Sequence, residues 1–278
     1  MKILQLTDIH LTAPGETIGN RDPNANFVKA LDHALHYHSD ADCMVITGDL
    51  SDWGDASDYN RMKTIIGDIG VPVHLCIGNH DDRPTLLRSF PELEGDGGFV
   101  HYTFELPSRI GPHTGIVLDT WGPDTHEGHF CESRLDWFEQ VLGSITNPAF
   151  VFMHHNFVPN RMAPLDSIML QQHEAFGAVV ARHSEKIRHI AHGHCHLPMS
   201  GNFHGVSFSA PRGTNHSGWF NFAEGELLTG SELPEAYCVI RADSHSVLTQ
   251  MVEYGYTGEL RTEASPDYKL WDRQTMAR

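Results

Sequence analysis

An α/β fold is predicted by three features of this sequence. Short apolar segments rich in Val, Ile and Leu recur along it, amphipathic stretches with helical spacing separate the first of them, and Gly, Asn or Asp closes most of them. Up to residue 80 the order strand–helix–strand–helix–strand requires parallel pairing, because parallel neighbours need a long crossover, which a helix supplies. Beyond residue 98 the strand-like segments come closer together, so a mixed sheet, or two sheets packed together with helices outside, is expected.

The first strand covers residues 3–7, apolar and directly followed by Asp8. A helix over 24–38 gathers Phe27, Leu31, Ala34 and Leu35 on one face, and Asp22-Pro23 before it suits an N-cap and a first-turn proline. Residues 43–47 and 73–77 read as strands, with a helix over 59–69 between them carrying Met62, Ile65, Ile66 and Ile69. Strands over 100–106 and 115–118 follow as neighbours. Ser133-Arg134-Leu135-Asp136 resembles a capping box opening a helix through Leu142. A strand over 150–153, a helix over 169–183 and strands over 189–191, 206–209, 237–241 and 248–254 complete the pattern. Residues 212–235, with Trp219, Phe220 and Phe222 among Gly, Asn and Glu, form a long loop or flap. One domain over 1–256 with a polar tail over 257–278 is expected; no internal repeat or low-complexity linker interrupts it.

Composition narrows the possible roles. At 278 residues and 40% hydrophobic content the chain can bury a sizeable core, and no apolar stretch is long enough for a membrane span. Residues 1–7 lack a long apolar core and a small-residue cleavage site, so they read as a strand and not a signal peptide, which favours the cytoplasm. The five cysteines are widely spaced without a Cys-x-x-Cys pair, against a disulfide framework. A net charge of −17 with sparse, scattered Lys and Arg argues against nucleic acid as a partner, which requires a basic stripe.

Five fragments carry the chemistry: Asp8-Ile9-His10, Gly48-Asp49, Gly78-Asn79-His80-Asp81, His154-His155 and Gly193-His194-Cys195-His196. Each follows an apolar run, so each stands where a buried strand gives way to a loop. Asp8 and His10 can reach one cation, and the Asp49 carboxylate has two oxygens with which to bridge two. Asn79 offers a neutral oxygen, and His154, His194 and His196 offer imidazole nitrogens. Carboxylate, amide and imidazole together suit Mn, Fe, Co or Zn better than Ca or Mg. Singly, Asp8, Asp49 or His154 would be read as a loop-capping side chain; as an ordered set the fragments point to a pair of metal ions. Asp52 reads as a turn residue.

The set resembles the calcineurin-like metallophosphoesterases and spans residues 8–196. With Gly213-Thr214-Asn215-His216 it is most similar to bacterial glycerophosphodiesterases and class III cyclic-nucleotide phosphodiesterases. The resemblance implies a four-layer sandwich of two mixed sheets flanked by helices. It also implies two divalent or mixed-valence transition metal ions per chain: Asp8, His10, Asp49 and His196 around the first, and Asp49, Asn79, His154 and His194 around the second. A hydroxide held by the metals would attack a small phosphodiester, with His80 assisting at the phosphate or leaving group and Asp81 orienting it. His216 is weighed evenly between substrate contact and a loop histidine, and Trp219 between the substrate pocket and flap packing; His155 is a candidate at the substrate, with packing or an outer hydrogen bond slightly favoured. A homo-oligomer is expected. Two departures stand out. The usual His-His-Pro-Pro reads His154-His155-Asn156-Phe157, and Asp49 is followed by Leu50-Ser51-Asp52, not the Asp-Arg-Gly of protein Ser/Thr phosphatases. A nuclease or phosphomonoesterase of the same superfamily is the alternative, and a non-catalytic metal-binding scaffold a more distant one.

Overall fold

The computed structural model describes residues 1–106, 110–223 and 227–260. A first sheet of five strands has the order β13 (Val247–Val252), β12 (Tyr237–Ala242), β1 (Lys2–Leu6), β2 (Cys43–Thr47), β3 (Val73–Cys76). The second, of six strands, runs β4 (Tyr102–Leu106), β5 (His113–Val117), β6 (Ala149–Phe152), β7 (Ile187–Ala191), β9 (Val206–Ala210), β8 (Met199–Phe203). Parallel pairs β1–β2, β2–β3, β5–β6, β6–β7 and β7–β9 run through both sheets; antiparallel strands close the second sheet at β4 and β8 and the first at β12–β13, while β3 ends the first sheet in a parallel pair, so both sheets are mixed.

Alternation of side chains across each strand produces three apolar layers. Leu4, Leu6, Met44, Ile46 and Leu75 pack with Phe27 and Leu31 of α1 (Pro23–His38), Tyr59 and Met62 of α2 (Ala56–Ile66), and Leu86 of α3 (Arg83–Ser89). The opposite faces of those strands put Ile3, Val45 and Cys76 against Val117, Phe150, Phe152 and Ala191 of the second sheet. Ile116, Val151 and Ile190 then meet Phe138 and Leu142 of α4 (Glu132–Ser144) and Phe176 and Val180 of α6 (His173–Arg182). Helices, sheet, sheet and helices are therefore stacked as four layers. Burial on both faces is why the central strands are continuous apolar runs.

Local chemistry sets most element ends, with some differences from expectation. Asp22 caps α1 by accepting from the Ala25 amide (3.1 Å), with Pro23 in the first turn. The capping box at residues 133–136 does not form: α4 begins at Glu132, after Cys131, and the Ser133 hydroxyl lies against Cys131 Sγ. The helix expected over 169–183 begins only at His173, and a separate short α5 (Ala163–Ser167) precedes it. Strand β8 was not expected from its sequence, Met-Ser-Gly-Asn-Phe, because an edge strand needs little apolar content. His204 and Gly205, both at positive φ (51° and 90°), form the two-residue turn that returns it to β9. Within the expected flap, β10 (Ser217–Gly218) and β11 (Gly230–Ser231) form a short ribbon. Most of the expected tail lies outside the described residues.

Candidate metal centre

The five fragments converge at the carboxyl ends of parallel strands, where an α/β sheet leaves a crevice. Asp8 and Asp49 each follow β1 and β2 by two residues and Asn79 follows β3 by three; His154 and His194 follow β6 and β7. The first sheet thus contributes the carboxylates and the amide, and the second contributes three histidines. His10 comes from the first sheet's side, beside Asp8.

Five of these residues have left-handed backbones: Asp8 (φ 52°), His10 (52°), Asp49 (49°), His194 (70°) and His196 (52°). Each such turn costs a non-glycine residue on the order of 1 kcal/mol, so the surrounding structure must enforce it. The Asp81 carboxylate does so for two of the loops. It accepts hydrogen bonds from the amides of Leu50, Ser51 and Gly78 (2.8–3.2 Å) and from the Tyr59 hydroxyl (3.0 Å). Burial and the nearby Asp49 carboxylate push its pKa up to about 6, against the pull of those amides. Asp81 therefore holds the backbone on either side of the site and does not touch His80, whose orienting partner is Asp52. Gly78 and Gly193 are required by close approach: a Cβ at Gly78 would meet Asp49 N and Oδ1, and one at Gly193 would meet Thr7 Oγ1.

Hydrogen bonding fixes the tautomers. Carbonyls and carboxylates only accept, so Nδ1–H must donate from His10 to Asp52 Oδ1 (2.9 Å), from His154 to Thr47 O (2.8 Å) and from His196 to His216 O (3.2 Å). Neutral rings so held present a bare Nε2 inward. His10 Nε2 and His196 Nε2 lie 3.2 Å apart, within 3.5 Å of Asp49 Oδ2 and Asp8 Oδ1 respectively. His154 Nε2 lies 3.4 Å from Asp49 Oδ1 and 3.0 Å from Asn79 Oδ1, and His194 Nδ1 is 2.7 Å from the same amide oxygen. Buried Asp8 Oδ2 and His194 Nε2 have no hydrogen-bond partner.

Lone pairs facing one another at these distances repel unless positive charge lies among them. The protein alone can supply only protons. Burial opposes charge on His154, yet Asp49 and Asp8 raise its pKa to about 9. The residues Asp8, His10, Asp49 and His196 bring one ligand atom each within 4.8 Å of one another, and His154 and His194 do so on the other side with His155. The donor set and its electrostatics therefore fit divalent cations of the transition series.

Other expected residues fall at varied distances from this centre. His80 lines the adjoining cavity; its amide donates to Asp49 Oδ1 (2.9 Å) and its Nδ1 to Asp52 O (3.0 Å). His216 also lines the cavity, its ring 4.3 Å from that of His196, and burial with the neighbouring histidines lowers its pKa to about 2. Trp219 is half exposed on the cavity rim. His155 is fully buried and does not line the cavity; its nitrogens engage Thr120 Oγ1 (2.7 Å) and His126 O (3.3 Å). Sequence reasoning missed His126, whose Nδ1 lies 2.8 Å from Asn79 Nδ2, and took Asp52 for a turn residue. Asp52 had a weak signal, three residues past Asp49, whereas His126 had none.

The cavity measures about 570 Å³. Met162, Leu165, Ile168, Leu197, Trp219 and Leu228 form its apolar wall, and among the described residues no Lys or Arg lines it.

Comparison with known proteins agrees with this geometry. Residues 1–198 match the family described as calcineurin-like phosphoesterase. The chain is 30% identical, over 94% of its length and 95% of the relative's, to a probable cyclic nucleotide phosphodiesterase of Rhodopseudomonas palustris. It is 26% identical, over 70% and 72%, to a probable glycerophosphodiester phosphodiesterase of Arcobacter nitrofigilis. Its fold superposes on purple acid phosphatase from yellow lupin with a TM-score of 0.64 at 12% identity, covering 93% of this chain and 52% of that one.

Proposed function

The chain belongs to the calcineurin-like phosphoesterase family and is a metal-dependent phosphoesterase, and from that footing we propose that it hydrolyses small phosphodiesters at a two-metal centre, cyclic nucleotides in preference to glycerophosphodiesters. The observation that carries the dinuclear reading is the Asp49 carboxylate, whose Oδ2 faces His10 while its Oδ1 faces His154. Asp8, His10, Asp49 and His196 would hold one cation, and Asp49, Asn79, His154 and His194 the other. Mn, Fe, Zn or Co bound there supplies Lewis acidity, making water a nucleophile at neutral pH and offsetting charge on the phosphoryl oxygens.

The chain's own groups do the rest. Asp52 fixes the His10 ring, Thr47 the His154 ring and the His216 carbonyl the His196 ring. His80, anchored through Nδ1, keeps Nε2 as its remaining polar atom and is suited to hydrogen-bond the phosphate or the departing oxygen. The preference for cyclic nucleotides rests on the cavity wall. Its volume suits a nucleotide-sized ligand, and its apolar side chains suit a planar base better than an ammonium headgroup. The only carboxylates lining it, among the described residues, are Asp49 and Asp52, both already engaged by histidines. The name of the Rhodopseudomonas relative supports the same choice.

Hydrolysis of 3′,5′-cyclic AMP, 2′,3′-cyclic AMP, glycerophosphocholine, bis-p-nitrophenyl phosphate and p-nitrophenyl phosphate should be compared on one metal-loaded preparation. A cyclic nucleotide is expected to lead in kcat/KM; glycerophosphocholine in first place would reverse the preference, and the monoester in first place would end the diesterase reading. Metal analysis should give about two ions per chain. We further propose a cytoplasmic location and a homo-oligomer; no helix among the described residues is long and apolar enough to cross a membrane.

A further inference from the structure

A carboxamide at a metal site has an end that can ligate and an end that cannot, and nothing in its own shape decides which faces inward. Asn79 Oδ1 lies between His154 Nε2 (3.0 Å) and His194 Nδ1 (2.7 Å), while its Nδ2 points the other way, 2.8 Å from His126 Nδ1. An amide nitrogen only donates, so His126 Nδ1 must be the acceptor. Turned over, the same side chain would set an N–H against Nδ1 and leave its ligating oxygen facing His126.

His126 is itself held. Its main-chain oxygen accepts from buried His155 Nε2 (3.3 Å), and the His155 ring is fixed in turn by Thr120 Oγ1 (2.7 Å). Gly128, two residues on, bonds in both directions to the chain before α6: its amide donates to Met169 O (3.2 Å), and its carbonyl accepts from the Gln171 amide (2.9 Å). The His126 ring also stands 5.1 Å from that of His80 at the cavity wall.

We propose that His126 is a positioning residue for the second cation: as acceptor for Asn79 Nδ2 it keeps Oδ1 turned towards His154 and His194, with His155 bracing the loop that carries it. This rests on the reading of Asn79 as a ligand. Outer hydrogen bonds of this kind change metal affinity by roughly 10- to 100-fold; the open position of His126 places the effect near the lower figure.

The test is calorimetric titration of Mn²⁺ into metal-free full-length protein, without substrate. His126→Phe keeps a ring and removes the acceptor, whereas His126→Asn returns an acceptor near the Nδ1 position. The phenylalanine variant should weaken one of the two binding steps about tenfold and spare the other, and the asparagine variant should recover most of the loss. Thermal melts of the metal-free proteins should coincide. Unchanged binding in His126→Phe, equal weakening of both steps, or asparagine no better than phenylalanine overturns the proposal. If His126→Phe melts early, the comparison of His126→Asn with His126→Ala decides it by the same criterion. A wild-type protein that binds a single Mn²⁺ ion defeats the two-metal reading itself; two ions bound alike by wild type and His126→Phe defeat only the role of His126.

Discussion

Asp49 has one oxygen towards His10 and one towards His154, so under the proposed two-metal centre its loss should be felt by both cations. Asp49→Ala is expected to lower kcat/KM by more than about 100-fold, beyond the effect of losing an outer hydrogen bond, with fewer than two metals retained on analysis. Retention of both ions would show that Asp49 does not link them. His80→Ala should behave differently, keeping its metals while kcat falls about 100-fold or more; unchanged kcat would remove His80 from the chemistry. Asp81→Asn exchanges one acceptor oxygen for an N–H that faces backbone amides. It should destabilise the fold by about 2 kcal/mol in urea titration and loosen the Asp49 and Asn79 loops together. At this scale the sequence was highly legible where site residues are close in the chain. Asp8 with His10 and His194 with His196 are spaced two apart after apolar runs, and glycines mark the close approaches. Asp52 bonds to a histidine 42 positions away and His126 to an asparagine 47 away, so their roles exist only after folding.

Strands buried on both faces announce themselves as apolar runs, and their register follows from pairing in the interior. Phe150 sits in the layer between the sheets with Phe152 and Val45, and Phe150→Ala should cost about 3–5 kcal/mol of stability in denaturant unfolding. Edge strand β8 has no such layer, so its sequence carried no signal. Helix starts were legible where a side chain caps, as at Asp22, and misread where chain geometry overrides a motif, as at Ser133. Strand β7 adds a pH dependence. His189, buried between Ser207 Oγ and Ser209 Oγ (2.9 Å each), has its pKa lowered to about 4 by desolvation and by His192. Its folded pKa lies below the unfolded value near 6.5, so the unfolded chain binds more protons and stability falls on acidification. The loss begins near pH 6.5, reaches about 3 kcal/mol by pH 4, and should be reduced in His189→Gln when unfolding is measured across that range.

At the scale of the whole molecule, several apolar side chains near the cavity mouth are left open to solvent. Phe222, Leu227 and Leu228 are 69%, 84% and 61% exposed beside the β10–β11 ribbon. If copies associate through them, Leu227→Glu with Leu228→Glu should lower the mass measured by light scattering; an unchanged mass would place any interface elsewhere. The periodicity alone left the four-layer stack as an alternative to one mixed sheet, because an apolar run shows that a strand is buried and not what covers it; the four layers that the motif resemblance implied are the ones the structure has. The proposed ligands, in contrast, are divided between the sheets, with Asp8, Asp49 and Asn79 arriving from one and His154, His194 and His196 from the other. Cations seated there act as a rivet through the seam of the sandwich. Chelation should therefore quicken amide exchange at the tips of β1 and β6 together, so that the two halves of the molecule report on the same missing ions.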